Sequence, residues 1–163
     1  IIAAAFVEKD PTRLVEIGLS EIPAECRLAQ YVRKLQGWIG ESSTWEACMD
    51  RIEAALPDMH VVHTINNALI CVMALYYGRM DVVESPAIAV MGALDTDCNG
   101  ATVGSITGAA CGRAQYRNDL AARLNDTVKP AMIGFQQATM KELAERTAKV
   151  WKRVGEYAAT RKA

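Results

Sequence analysis

The sequence has no apolar run approaching the ~18 residues of a membrane-crossing helix, and Ala68 to Tyr77, its purest stretch, falls far short. No transmembrane segment is expected. No charged-then-apolar opening with a cleavage site is present, so no secretory signal is read. Five cysteines, at 26, 48, 71, 98 and 111, form no CxxC pair, and only two histidines, His60 and His63, accompany them. An odd number of thiols inside helical patterns argues against a disulfide framework and for reduced cysteines in a cytoplasmic protein. A zinc site from Cys98 with His60 or His63 matches no standard ligand spacing, and no cysteine can be paired with a base to make a nucleophile. Strand-like alternation, internal repeats and low-complexity linkers are also missing. That leaves an all-α class in one compact unit. Nor does the chain open on methionine: Ile1 to Val7 reads as a helix already under way, so the chain is expected to be the later part of a longer protein.

What is present is ordinary for a globular protein: 163 residues, 51% hydrophobic and 23% charged. The net charge of −1 conceals an asymmetry. Residues 1–112 carry 7 Lys+Arg against 14 Asp+Glu, whereas residues 113–163 carry 11 against 5. A basic tail can bind nucleic acid, but Glu142 with Arg146 and Glu145 with Lys149 are i,i+4 pairs, which points to a solvated helix face and to no nucleic-acid partner.

Helix signals follow in order. Asp10-Pro11 reads as N-cap and first helical residue, with Pro23 ending that helix after Ile22. Leu28, Val32, Leu35 and Ile39 recur at helical spacing, and Gly40 closes the segment. Ser43 with Glu46 forms a capping box for a third helix, whose face is Trp45, Met49, Ile52 and Leu56 before Pro57. Val61 to Tyr77 is apolar nearly all round, as in a buried helix, and Gly78 ends it. Its first turns carry His63, Thr64, Asn66 and Asn67, each readable as a cap or a satisfied core polar group, or, for His63 and Asn67, as facing a cleft. Ser85-Pro86 opens a further buried helix to Gly92. After Gly112 a less regular stretch carries Arg113, Arg117, Asn118, Asn125 and Asp126. A last helix, Thr139 to Thr160, is expected to bury Leu143, Thr147, Val150, Trp151, Val154 and Tyr157.

The chain is organised around residues 95–112, where Asp95 and Asp97 precede a run of small residues with glycine at 100, 104, 108 and 112. A four-residue period is helical, so the glycines form one stripe down one side. Each interior glycine costs about 1 kcal/mol against alanine, which predicts a backbone packed closely along the stripe and a central, buried helix. Asp97 alone reads as an N-cap, which leaves Asp95 unexplained. Two close carboxylates in an apolar setting suit a hard divalent cation: magnesium, manganese or calcium.

The stretch Leu94 to Gly108, Asp-Thr-Asp before a glycine-striped helix, resembles the C-terminal signature of the ADP-ribosylglycohydrolases. The flanking Asp10-Pro11, Gly18 to Pro23, His63 to Ala68 and Leu124 to Val128 agree with it. The resemblance implies a compact multi-helix orthogonal bundle, with residues 1–163 as the C-terminal portion of a single all-helical domain. It implies a binuclear Mg2+ or Mn2+ site in a helical cleft, ligated by a Thr-Asp-Asp motif from the N-terminal half and by Asp95 and Asp97 here. Cys98 stands where the family has a third ligand, threonine, and a thiol suits a hard cation poorly. The implied chemistry is metal-dependent hydrolysis of the glycosidic bond between ADP-ribose and a modified side chain or small acceptor, so the partners are ADP-ribosylated proteins or ADP-ribosyl small molecules. The metals would hold the ribose hydroxyls and polarise a water. No Thr-Asp-Asp occurs in residues 1–163. These residues alone are therefore expected to be inactive. A non-catalytic binding or structural protein that keeps the fold is the alternative. Neither the acceptor linkage nor the oligomeric state is legible.

Overall fold

The structure, a computed structural model, describes residues 1–112, 115 and 122–161. It divides into two compact units, Ile1–Tyr116 and Arg117–Ala163. Arg113, Arg117 and Asn118, singled out in the sequence, lie outside the described residues.

The first unit is helical throughout: α1 Pro11–Ser20, α2 Arg27–Glu41, α3 Trp45–Ala55, α4 Thr64–Tyr77, α5 Glu84–Met91 and α6 Thr96–Cys111. The all-helical class is borne out. Its hub is α4, which packs against α1, α2, α3, α5 and α6. Ten consecutive or near-consecutive side chains of α4, from Ile65 through Leu75, are buried, which is why its sequence is apolar all round. Leu69, Ile70, Met73 and Leu75 are fully buried and meet a core that includes Leu14, Leu35, Ile52, Ile88 and Val103. Each such side chain contributes roughly 1.5–3 kcal/mol by leaving water, so this helix anchors the unit.

Local signals place the helices to within a few residues and err at their boundaries. Asp10 caps α1 by accepting the Arg13 amide at 3.0 Å, with Pro11 at the first position, but α1 ends at Ser20 rather than Ile22. Thr44, not Ser43, caps α3, accepting the Ala47 amide at 3.3 Å. Gly40 lies inside α2, which runs on to Glu41. Nor does Ser85 open α5, which begins at Glu84, because Asp81 Oδ1 accepts both the Val83 and Glu84 amides at 2.8 Å. Ser85 is instead fully buried against Gly78. The opening Ile1 to Val7 makes only a single 3-10 turn, Ala4–Phe6. Glu8 Oε1 takes the Lys9 and Asp10 amides, diverting the backbone before an α-helix can propagate.

The expectation of a central α6 also needs correction. Asn99, Val103, Ile106, Thr107 and Ala110 are buried, while Ala101, Thr102 and Ser105 are exposed on the opposite side. Its neighbour along the glycine stripe is α5, met through side chains rather than backbone. A Cβ at Gly100 would lie 2.9 Å from Val90 Cγ2, and one at Gly104 would lie 3.9 Å from the Pro86 ring. Gly112 serves differently, ending α6 at φ 72°, a left-handed conformation that suits glycine.

In the second unit a two-stranded antiparallel ribbon, β1 Thr127–Val128 with β2 Ala138–Thr139, precedes α7, Met140–Thr160. So short a pair shows no alternation in sequence. Thr139 caps α7 by accepting the Glu142 amide at 2.9 Å, and Arg146 pairs with Glu142 at 3.6 Å as the spacing predicts. The expected burial of its apolar stripe is not found: no α7 residue is buried, and Trp151 is 77% exposed. Amphipathic spacing specifies a face, and a cover for that face must come from elsewhere in the fold.

Candidate functional site

The acids are delivered by a sharp descent from α5 into α6. Gly92 ends α5, tucked so closely under the core that a Cβ there would stand 3.0 Å from Ile70 Cγ2. Ala93 and Leu94 then both take left-handed conformations, at φ 61° and 59°. For residues with a side chain this costs about 1–2 kcal/mol apiece, so the turn persists only because surrounding contacts over-determine it.

Asp95 follows as the N-cap residue of α6, yet its side chain makes no capping bond. Asp97 sits within the first turn and is not the N-cap, so the simple capping reading accounts for neither acid. Donor atoms of Asp95, Asp97 and Cys98 all lie within 4.8 Å of one another, with Asp95 half-buried and the other two exposed. Among the described residues these three form the cluster able to hold a cation.

The electrostatics of the cluster favour positive charge. The helix N-terminus contributes roughly +0.5 of an elementary charge, against two carboxylates. The carboxylates win, and a divalent cation would complete the balance. Cys98 responds to the same field: the Asp95 carboxylate accepts its thiol hydrogen and, with Asp97 adding its own charge, pushes the Cys98 thiol up from its ordinary value. With no cation bound it is protonated at neutral pH, which makes it a poor nucleophile, and a thiol is in any case a soft ligand. The donor set that suits a hard cation is therefore the carboxylate pair.

Behind the acids lies a buried polar network that the sequence signalled only in part. Asn67, on the first turn of α4, accepts the Asp95 amide N–H at 3.2 Å and Asn99 Nδ2–H at 2.8 Å through its single oxygen. Its Nδ2 donates to the carbonyls of Val61 at 2.7 Å and His63 at 2.9 Å. Asn66 secures the same turn, donating to the His60 carbonyl at 3.0 Å and accepting the Asn67 amide at 3.0 Å. His63 is the N-cap of α4, its Nδ1 accepting the Ile65 amide at 3.1 Å. Of the two residues left open between cap and cleft, His63 is thus a cap, while Asn67 reaches the acidic turn. Asn99 is one helical turn after Asp95, whose carbonyl accepts its amide at 2.9 Å, and that i,i+4 offset was the signal for it. Cys71 lies within 3.6 Å of Asn99 Oδ1, and burial, with the Asp95 charge adding, pushes its thiol up to about 11.

A separate apolar hollow of about 510 Å3 opens between α1, α2, α4 and α6, lined by residues such as Val15, Leu19, Val32, Val72 and Ile106. It holds no charged side chain and does not include the acids. No described helix is long and apolar enough to cross a membrane.

No curated protein and no solved structure matches the chain. The sequence profile of a hydrolase family does, over residues 1–157, a span that contains the acidic turn, the glycine-striped helix and the asparagine network behind them. On that coverage the chain belongs to the ADP-ribosylglycohydrolase family.

Proposed function

We propose that this chain supplies the C-terminal share of a Mg2+- or Mn2+-dependent site that hydrolyses the glycosidic bond between ADP-ribose and a modified side chain or small acceptor. The observation that carries the reading is the convergence of the Asp95 and Asp97 carboxylates at the mouth of α6, with neither engaged as a helix cap. Oxygen donors in this number and spacing suit a hard cation.

Asp95 and Asp97 would hold the cation, with Cys98 in the same cluster but, as a soft thiol, less suited to a hard ion. Once bound, the metal pair supplies Lewis-acid polarisation and a template for the ribose hydroxyls. The chain's own contribution is geometry. The left-handed turn at Ala93 and Leu94 sets both acids at the N-terminus of α6, with Asp97 exposed and Asp95 half-buried. Substrates on this reading are ADP-ribosylated proteins or ADP-ribosyl small molecules, met in the cytoplasm.

No Thr-Asp-Asp sequence occurs in residues 1–163, so two acids stand where a binuclear site needs more. Residues 1–163 by themselves should bind the metal weakly and turn nothing over. Calorimetric titration of Mg2+ and Mn2+ into the full-length protein, with an Asp95→Ala, Asp97→Ala double variant alongside, tests the site. Tight binding abolished in the variant is the expected result. Binding that survives the double substitution would overturn it, and hydrolysis of an ADP-ribosylated peptide by residues 1–163 alone would overturn the dependence on further ligands.

A further inference from the structure

The Asn67 side chain is fully committed in hydrogen bonds, none of them to either carboxylate. Its position is 28 residues before Asp95 in sequence and on a different helix, and it is 8% exposed. The two halves of its amide do different jobs. The Nδ2 side reaches the carbonyls of Val61 and His63 and so fixes the amide's own orientation at the start of α4. That orientation leaves the oxygen facing α6, where it receives the backbone N–H of Asp95 and the side-chain N–H of Asn99 together. Both partners belong to the first turn of α6, and they are joined to each other by the bond from the Asn99 amide to the Asp95 carbonyl.

The bond to the Asp95 amide falls at a decisive point. Immediately before it come two non-glycine residues in left-handed conformations, a backbone that relaxes unless something beyond local preference holds it. Gly92 and Ile70 brace the upstream side of that turn by close packing. On the downstream side, the polar brace on Asp95 is the Asn67 oxygen.

We infer that Asn67 is the positioning residue of the acidic site: its side-chain oxygen locks the strained Ala93-Leu94 turn and sets where the Asp95 carboxylate points. Asn99 is the second arm of the lock. The inference rests on the reading of Asp95 and Asp97 as metal ligands for its consequence on binding, but not for the lock itself. An aspartate at this position retains an acceptor oxygen for both α6 donors and gives up the three bonds that Nδ2 donates, to the Val61 and His63 carbonyls and to Asn66 Oδ1. An alanine loses all of them. The neighbouring Asn66 is likewise buried and bonds within the start of α4 and to Asn67 Nδ2 but not to α6, so its removal leaves both α6-facing bonds of Asn67 in place and serves as the control.

The test uses the full-length protein and four forms: wild type, Asn67→Ala, Asn67→Asp and Asn66→Ala. Hydrogen exchange at the Asp95 amide is read by NMR, and Mn2+ affinity by calorimetry, each beside the global unfolding free energy. Asn67→Ala should speed exchange at Asp95 at least tenfold more than its loss of global stability explains, and weaken Mn2+ binding about tenfold. Asn67→Asp, which keeps the acceptor oxygen but loses the donated bonds that orient it, should restore part of the protection at Asp95. Asn66→Ala should lower stability while leaving Asp95 protected. Protection at Asp95 that falls only in step with global stability, and equally in Asn66→Ala, would overturn the lock. If the wild type takes up no Mn2+, the metal reading fails, and the exchange measurement still decides the role of Asn67.

Discussion

Replacing Gly78 with alanine should be among the most damaging single-methyl additions in this protein. A Cβ at that position would stand 2.4 Å from both Cα and Oγ of Ser85 and 2.6 Å from its backbone nitrogen. The φ of Gly78 is −78°, which any residue accepts, so space rather than conformation forbids the methyl. The hydroxyl could rotate away, but the Ser85 backbone is in α5 and cannot yield without moving the helix that leads to the acidic turn. Overpacking of this kind costs about 1–3 kcal/mol and here belongs at the upper end, because backbone rather than a side-chain tip is struck. With a urea m-value of about 1–3 kcal/mol/M, the unfolding midpoint should fall by about 1–3 M. Gly104→Ala is the internal control. Its methyl would meet nothing closer than the Pro86 ring at 3.9 Å, an ordinary contact, and it sits inside α6, where alanine is favoured over glycine by about 1 kcal/mol. Equilibrium urea denaturation followed by circular dichroism should therefore show shifts of opposite sign. A Gly78→Ala midpoint within about 0.2 M of wild type would refute the claim that α4 and α5 meet there backbone to backbone.

Two further outcomes concern the thiols around the site. Burial raises Cys71 to about 11, so the folded state favours the protonated thiol over the unfolded state. The resulting stability is complete below the ordinary thiol pKa of about 8.5 and is lost as pH rises toward the folded value, at up to about 1.4 kcal/mol per pH unit. Urea midpoints at pH 8 and pH 10 should differ more for wild type than for Cys71→Ala, and equal differences would show that the thiol is not responsible. For the exposed Cys98, alkylation by iodoacetamide at pH 8 should be slower than for an ordinary exposed thiol. Asp95→Asn should accelerate it severalfold by removing the charge and the acceptor that hold the proton; an unchanged rate would separate Cys98 from the acids.

The sequence by itself determined the helical class, the positions of most helices and the identity of the acidic turn. These properties are local: a 3.6-residue period, Asp10 before Pro11, glycine after Tyr77, and two aspartates before a run of small residues need no distant partner to be read. Where two local signals compete, the choice passes to packing. Ser85 lost the capping role to Asp81 because it is packed against Gly78, and Ser43 lost it to Thr44 by a single residue. Which helix is central was also beyond local pattern. Glycine spacing marked α6, but burial is a property of what surrounds a helix, and α4 is the one with neighbours on every side. The same reason left the apolar stripe of α7 legible as a face and its exposure illegible.

At the site the division is sharper. Asp95, Asp97 and Cys98 are adjacent in sequence, so their proximity followed from the chain alone. The left-handed turn at Ala93 and Leu94 carries no glycine to announce it, and the asparagine that braces it lies on another helix. Only the tertiary structure could bring Asn67 against the Asp95 amide, because a hydrogen bond across 28 residues exists only after α4 and α6 have packed.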